Sequence, residues 1–174
     1  MNPDFEAHSS EQGPDIKELY SFIEVTHKNL LEDNNLVPVF VFHKDGKLNV
    51  GILPNELMNN KNLLGKTLSN LVDNVKPDYY WMATEAWASD SKKLEGEDEL
   101  LQQAMVDGNI SELPRNKRDE VVVLNVTDCR NEQPERWLGI YKIIRDRQEV
   151  IHNFSPTRWI KQGNGSELKG RLVI

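Results

Sequence analysis

The segment LVPVFVFHKDGKLNVGILP, residues 36–54, constrains the fold of this chain more than any other stretch. Two apolar runs flank Asp45-Gly46, a pair that readily adopts the positive φ angles of a tight hairpin turn. The first arm, residues 37–42, is apolar on both faces, which is typical of a strand in the interior of a sheet. The second arm alternates, with these apolar residues on one face: Leu48, Val50 and Ile52. The chain is therefore expected to contain an antiparallel sheet.

Two main helices are predicted on either side of this hairpin. In DIKELYSFIEVTHKNLL most apolar residues fall at helical spacing and Asp15 can serve as N-cap, which predicts a helix from 15 to 32. Residues 55–75 form the second helical segment, and Pro77 ends it. Its apolar face carries Leu64, Leu68, Leu71, Val72 and Val75.

Further segments have the composition of strands. They are residues 79–88, EVVVLNVTD, WLGIYKIIRD, EVIHNF and, at the C-terminus, GRLVI. Runs of antiparallel strands combined with two helices indicate an α+β fold. We expect a two-layer sandwich, in which a mainly antiparallel sheet of five to seven strands carries both main helices on one face.

Length and composition indicate one domain. Residues 1–14 are polar and contain Pro, Gly and Ser, so they are predicted to be a flexible tail. Residues 15–174 form the predicted domain, interrupted by an acidic insertion at about 89–117 with a short helix around 97–107. The single cysteine, Cys129, excludes an internal disulfide and suits a reducing cytoplasm.

Charge and hydropathy narrow the range of partners. A net charge of -7 disfavours binding to a phosphate backbone, so nucleic acid is not an expected partner. No apolar run reaches the ~18–20 residues of a membrane span, and the N-terminus lacks the order of a signal peptide. The sequence therefore predicts a soluble cytoplasmic protein without a membrane partner.

The strand segment YYWMATEAW, residues 79–87, contains one acid, Glu85, among aromatic residues. Alternation with period two places Glu85 on one face with Trp81 and Trp87, and we expect this face to lie away from the helices. One interpretation is structural: a strand glutamate pairs with a cation across the ladder or points to water. The other is a shallow aromatic pocket in which desolvation raises the pKa of Glu85 unless a cation compensates. The expected compensating cations are Arg115, Lys117 and Arg118.

The segment around this strand also resembles a known sequence pattern. Thr84-Glu85-Ala86-Trp87, a variable insertion, and then Arg118-Asp119-Glu120 before VVVLNV are similar to a pattern in small uncharacterised prokaryotic and phage-type proteins. The similarity covers residues 78–128, and that family has no established activity. The resemblance implies that four residues belong together, in one site or in one structural network: Glu85, Trp87, Arg118 and Glu120.

A search for catalytic patterns finds none. The histidines lack the spacing of a zinc site, there is no Cys-x-x-Cys pair, and no Gly-x-Ser-x-Gly elbow occurs. Gly65-Lys66-Thr67 lacks the upstream glycine of a P-loop. Cys129 has no histidine near it in sequence. We therefore predict neither a metal nor a cofactor.

Two functional hypotheses from different classes follow. The favoured one is a non-enzymatic protein-binding or adaptor module, whose exposed sheet edge or aromatic face engages another protein or a second copy of the chain. The alternative is an enzyme that uses Glu85 as acid or base, with Arg118 holding charge; a small-molecule ligand stays open. The predicted binding residues are Trp81, Glu85, Trp87, Arg118 and Glu120.

Overall fold

One antiparallel sheet organises the molecule. In a computed structural model of the chain, the structure describes residues 13–88, 119–148 and 151–162. The helices are α1 (Lys17–Asp33), α2 (Asn55–Met58) and α3 (Lys61–Val75), and the strands are β1 (Val39–Lys44), β2 (Lys47–Ile52), β3 (Tyr79–Ala88), β4 (Asp119–Asp128), β5 (Glu135–Arg145) and β6 (Ile151–Gln162). The described strands form one sheet of order β2-β1-β3-β4-β5-β6. Every neighbouring pair is antiparallel.

This architecture confirms the α+β class and the antiparallel sheet, whose six described strands lie within the predicted five to seven. Several other predictions fall outside the described residues: most of the N-terminal tail, the acidic insertion with its short helix, and the strand at the C-terminus. Within the described ranges, none of the helices combines the length and apolar character that crossing a bilayer requires.

The β1–β2 hairpin forms as its sequence predicts. Asp45 and Gly46 have φ angles of 51° and 76°, and Lys44 pairs with Lys47 across the turn. β1 lies between β2 and β3, so its position inside the sheet is also confirmed. β2, in contrast, is an edge strand. The hairpin therefore supplies one interior strand and one edge of the sheet.

The two long helices end in left-handed residues. Asn34 follows α1 with φ 61°, and its N–H bonds Leu30 O. Lys76 follows α3 with φ 52°, immediately before Pro77. The predicted N-cap at Asp15 is wrong: Ile16 occupies the N-cap of α1 and its side chain makes no capping hydrogen bond.

The helices lie on opposite faces of the sheet, which corrects the prediction that both pack on one face. Residues of α1 pack with Trp81 and Val122 in one cluster, whereas Leu64 and Leu68 of α3 pack with Tyr80 and other residues of the opposite face in a second cluster. Glu85 shares the face of Trp81, so the prediction that it faces away from the helices is wrong as well. The central strands are apolar on both sides, and each side therefore needs its own cover.

Candidate functional site

Glu85 lies near the end of β3, on the α1 face, and contacts the segment that follows α1. The backbone N–H of Leu36 donates to Glu85 Oε1 at 2.9 Å. The Glu85 side chain is exposed, yet its partial desolvation against the sheet is the largest cause that raises its pKa. The charge of Glu120 also raises the pKa, while the hydrogen bond from Leu36 and the charge of Arg145 lower it. The net pKa is above the ordinary value.

The cation whose charge lowers the pKa of Glu85 is Arg145, a residue outside the predicted site. Arg145 binds Glu120 with both ends of its guanidinium, through Nε to Oε2 at 2.5 Å and Nη2 to Oε1 at 2.6 Å. Its Nη1 donates to Asn34 Oδ1 at 3.1 Å, and Ile151 N donates to the same oxygen at 2.7 Å. We call Asn34, Leu36, Glu85, Glu120 and Arg145 the α1-end network, because they tie the end of α1 to the central strands.

The structure brings together only part of the predicted site. Glu85 and Glu120 share the α1-end network, and Trp87 lies opposite Glu120 in the β3–β4 register. Trp81 is fully buried beneath α1 and four residues from Glu85, roughly 13 Å along the strand. Arg118 lies outside the described residues. Trp81 therefore belongs to the core beneath α1, whereas Trp87, two residues from Glu85 on the same face, is exposed.

An apolar groove opens elsewhere, between α1 and the β1–β2 hairpin. Its volume is about 400 Å³. The lining residues are Lys17, Glu18, Ser21, Phe22, Val25, Val41, Leu48, Val50 and Trp81. Val41 and Trp81 are almost completely buried and form the floor, with the Phe22 ring 5.5 Å from the Trp81 ring. The Trp81 indole N–H is buried without a hydrogen-bond partner.

The outer wall of this groove is an exposed apolar edge strand. All six residues of β2 are exposed, including Leu48 at 42%, Val50 at 63% and Ile52 at 71%. These three residues share the α1 face, because they lie opposite residues of that face in β1. We call them the β2 edge residues. Leu48 and Val50 line the groove together with Val25 of α1, which is also exposed, at 57%.

The hairpin register determines which backbone groups of β2 are free. Lys44 and Lys47 flank a two-residue turn, so they form a hydrogen-bonded pair, and such pairs recur at every second position. Lys47, Asn49 and Gly51 therefore direct their N–H and C=O groups toward β1. The same groups of the β2 edge residues point outward, away from the sheet.

The two edges of the sheet differ in how they are protected. Natural proteins block exposed edges with proline, charge or bulges. β6 contains Pro156, which has no N–H to donate, and register shifts interrupt its pairing with β5 at two places. Between Leu48 and Ile52, β2 contains no proline, no charge and no register shift. Of these two described edges, only β2 is open to a further strand.

A polar cluster lies at the end of the groove where α1 begins. His43 Nδ1 and Asp78 Oδ2 are 2.9 Å apart, and the His43 ring stacks on Tyr79 at 4.6 Å. Glu18 accepts a hydrogen bond from the Tyr79 hydroxyl, and burial followed by this bond raises the pKa of Tyr79. Arg130 covers the Tyr79 ring at 5.2 Å.

The described residues offer little for nucleophilic or metal chemistry. Burial, and next the charge of Asp128, raises the pKa of the Cys129 thiol, which disfavours a reactive thiolate. Cys129 packs against the cluster on the α3 face, whereas His43 lies on the α1 face. Among the residues described, no group of three or more His, Cys, Asp or Glu side chains is placed to hold a metal ion.

Comparison with known proteins yields no relative: no family model, no curated protein and no solved structure matches this chain. The resemblance of residues 78–128 to small prokaryotic and phage-type proteins therefore stays a prediction. Inferences about function therefore depend on the geometry of three features: the β2 edge, the groove and the α1-end network.

Proposed function

We propose that this protein is a non-enzymatic protein-binding module, and that the β2 edge receives an extended polypeptide segment as an additional strand. One observation carries the proposal: an unprotected, exposed apolar edge strand borders an apolar groove. Strand addition of this kind obtains affinity from backbone hydrogen bonds and specificity from pockets for alternate side chains.

The free backbone groups of β2 suit such an interaction. An added strand can exchange hydrogen bonds with the outward N–H and C=O groups of Leu48, Val50 and Ile52. Every second side chain of that strand then projects on the α1 side, next to the groove. Since the edge residues there are apolar, the favoured ligand alternates apolar residues on that side with polar residues on the other.

The alternative function, an enzyme that uses Glu85, has less support. Glu85 does not line the groove. Its carboxylate accepts a backbone hydrogen bond that links β3 to the chain after α1, and Arg145 supplies positive charge to the same network. These contacts suit a structural role. The acid, like Trp81, is therefore better explained by the fold than by a reaction.

Selection of displayed random peptides on the full chain tests the proposal. We expect enriched peptides with alternating apolar residues, whose affinity falls at least tenfold on the Val50→Pro variant, because proline removes a central N–H of the free edge. The Leu63→Lys variant, altered at an exposed apolar residue of α3, is the matched control and should bind normally.

Methylated peptides provide a second readout that does not require any change to the protein. In the added strand, alternate residues direct their backbone N–H toward β2. Methylation of these peptide nitrogens should abolish binding, whereas methylation of the nitrogens in between should be tolerated. Binding that is indifferent to both the Val50→Pro change and the methylation pattern would overturn the proposal, since it would not involve β2 backbone.

A further inference from the structure

We infer that the segment occupying the β2 edge is β2 of a second copy of this chain. Two six-stranded sheets would then join into one continuous antiparallel sheet around a two-fold axis at Val50. The inference rests on the proposed function, because it names the partner of the same surface. Its support comes from register, side-chain chemistry and charge.

Two-fold symmetry restricts how the two β2 strands can pair: the axis must pass through a residue and cannot pass between two consecutive residues. A two-fold axis perpendicular to the sheet keeps the α1 faces of both copies on the same side, so residues that lie opposite each other must come from the same face. With the axis at Val50, this residue faces Val50 of the second copy. Leu48 then faces Ile52 of the second copy, and the reverse pair forms at the other end.

This register also satisfies the most backbone groups. The three pairs consist only of residues whose N–H and C=O groups point outward, so each pair exchanges two hydrogen bonds, about six in all. Moving the axis to Asn49 places Ile52 opposite Gly46, in the hairpin turn. Moving it to Gly51 places Leu48 opposite Pro54, which has no N–H. Either shift retains only about four hydrogen bonds.

Side chains and charges fit the same arrangement. Leu48, Val50 and Ile52 would contact only apolar side chains across the new boundary, which reduces their exposure to water. Despite the net charge of the chain, no acidic residue lies between Lys47 and Ile52. The antiparallel arrangement places the basic turn end of each β2, with Lys44 and Lys47, at the same end of the new boundary as Glu56 of the other copy. Charges of opposite sign therefore lie at both ends of the boundary.

Sedimentation or light scattering of the full chain over a range of about 1–100 µM tests the inference. We expect a species of twice the 20.1 kDa chain mass that dissociates on dilution. Val50→Lys places two like charges at the axis and should shift dissociation to at least tenfold higher concentration. Leu63→Lys, the matched control on α3, should leave it unchanged.

Cysteine pairs identify the register directly. In a Cys129→Ser background, Val50→Cys should form a disulfide-linked dimer on mild oxidation, since hydrogen-bonded pairs have Cα atoms about 5.5 Å apart. Leu48→Cys alone should not cross-link, whereas a mixture of Leu48→Cys and Ile52→Cys chains should. Cross-linking of Leu48→Cys with itself would overturn the register.

The outcomes separate this inference from the proposed function. A monomer at every concentration that still binds selected peptides at β2 would overturn the second copy as partner and leave the proposed function intact. A dimer unaffected by Val50→Lys and not cross-linked through Val50→Cys would show an interface elsewhere, and would overturn the inference. If the wild-type protein neither self-associates nor binds any selected peptide, the inference and the proposed function are both overturned.

Discussion

At the scale of single residues, Glu85 is held by interactions of opposite sign. Partial desolvation of this exposed side chain and the charge of Glu120 disfavour its ionised form, while the Leu36 N–H and the charge of Arg145 favour it, and the pKa is raised overall. An acid with a raised pKa in the folded state contributes less stability as the pH rises through that value. At neutral pH Glu85 therefore stabilises the fold through the hydrogen bond that it accepts from Leu36 and not through its negative charge.

Substitution at Glu85 separates charge from hydrogen bonding. Glu85→Gln keeps an oxygen that accepts from Leu36 N–H and removes the disfavoured charge, so we expect stability at pH 7 to be unchanged or slightly higher. Glu85→Ala removes the acceptor and should cost about 0.5–1.5 kcal/mol. Urea denaturation measures both. If Gln costs as much as Ala, the charge itself is what stabilises the fold.

At the scale of elements, the β5–β6 pair depends on a close approach between Gly139 and Trp159. The two residues lie opposite each other, and a Cβ placed on Gly139 would be 2.6 Å from the Trp159 ring. Trp159 is 8% exposed, and its ring contacts Tyr141 and Tyr20 edge-on. Any side chain at Gly139 therefore displaces a buried aromatic residue that links β6 to α1.

Gly139→Ala tests this packing. We expect a loss of about 1–3 kcal/mol, because the indole must move within a packed cluster. Gly51→Ala is the matched control: it is also a strand glycine, but its added Cβ would meet its nearest atom, Phe40 O, at 3.8 Å, an ordinary contact. Guanidinium melts followed by tryptophan fluorescence compare the two. Equal losses would contradict the role assigned to the Trp159 contact.

At the scale of the whole molecule, the ion pair between Asp128 and Arg130, where β4 ends, contributes to stability in acid. Burial raises the pKa of Asp128 more than any single interaction lowers it, yet the bonds and charge of Arg130 together bring the net pKa below the ordinary value. Arg130 donates Nε at 2.9 Å and Nη2 at 2.8 Å to this carboxylate. The same guanidinium reaches the Asp15 carbonyl at 2.7 Å, so the pair also secures the chain before α1.

The pH dependence of this pair follows from the direction of the shift. Because the folded pKa of Asp128 is lowered, its contribution is complete above the unfolded value of about 3.9 and is lost as the pH falls through the folded value. Arg130→Gln should cost about 1–2 kcal/mol at pH 7, since half of the guanidinium is open to solvent, and progressively less below pH 4. Thermal melts from pH 2 to 7 measure the difference, with the exposed Arg147→Gln as control. A pH-independent difference would contradict the assignment.

Much of the secondary structure follows from local sequence. Asp45-Gly46 determines the turn because few other residue pairs adopt its φ angles, and the alternation in β3 correctly groups Tyr79, Trp81 and Glu85 on one face. These features depend on neighbours within a few residues. They are therefore readable without knowing where the chain goes next.

The remaining features depend on contacts between distant segments. The alternation of residues in a strand predicts which side chains share a face. It does not predict the face on which α1 packs, because that depends on how both faces of the central strands become buried in the assembled sheet. For the same reason Arg145, far from Glu85 in sequence, enters the α1-end network, and Trp81 lies at the buried floor of the groove beneath α1 and not in a pocket around Glu85. Apolar residues on both faces predict β1 inside the sheet, but only the strand order shows that β2, which is apolar on one face, lies at an edge of the described sheet. The sequence by itself determined most of the strands and their faces, although β6 continues to Gln162, well beyond the predicted segment EVIHNF. Only the tertiary structure decided which strands meet the solvent, because that depends on the free energy of burying the whole sheet.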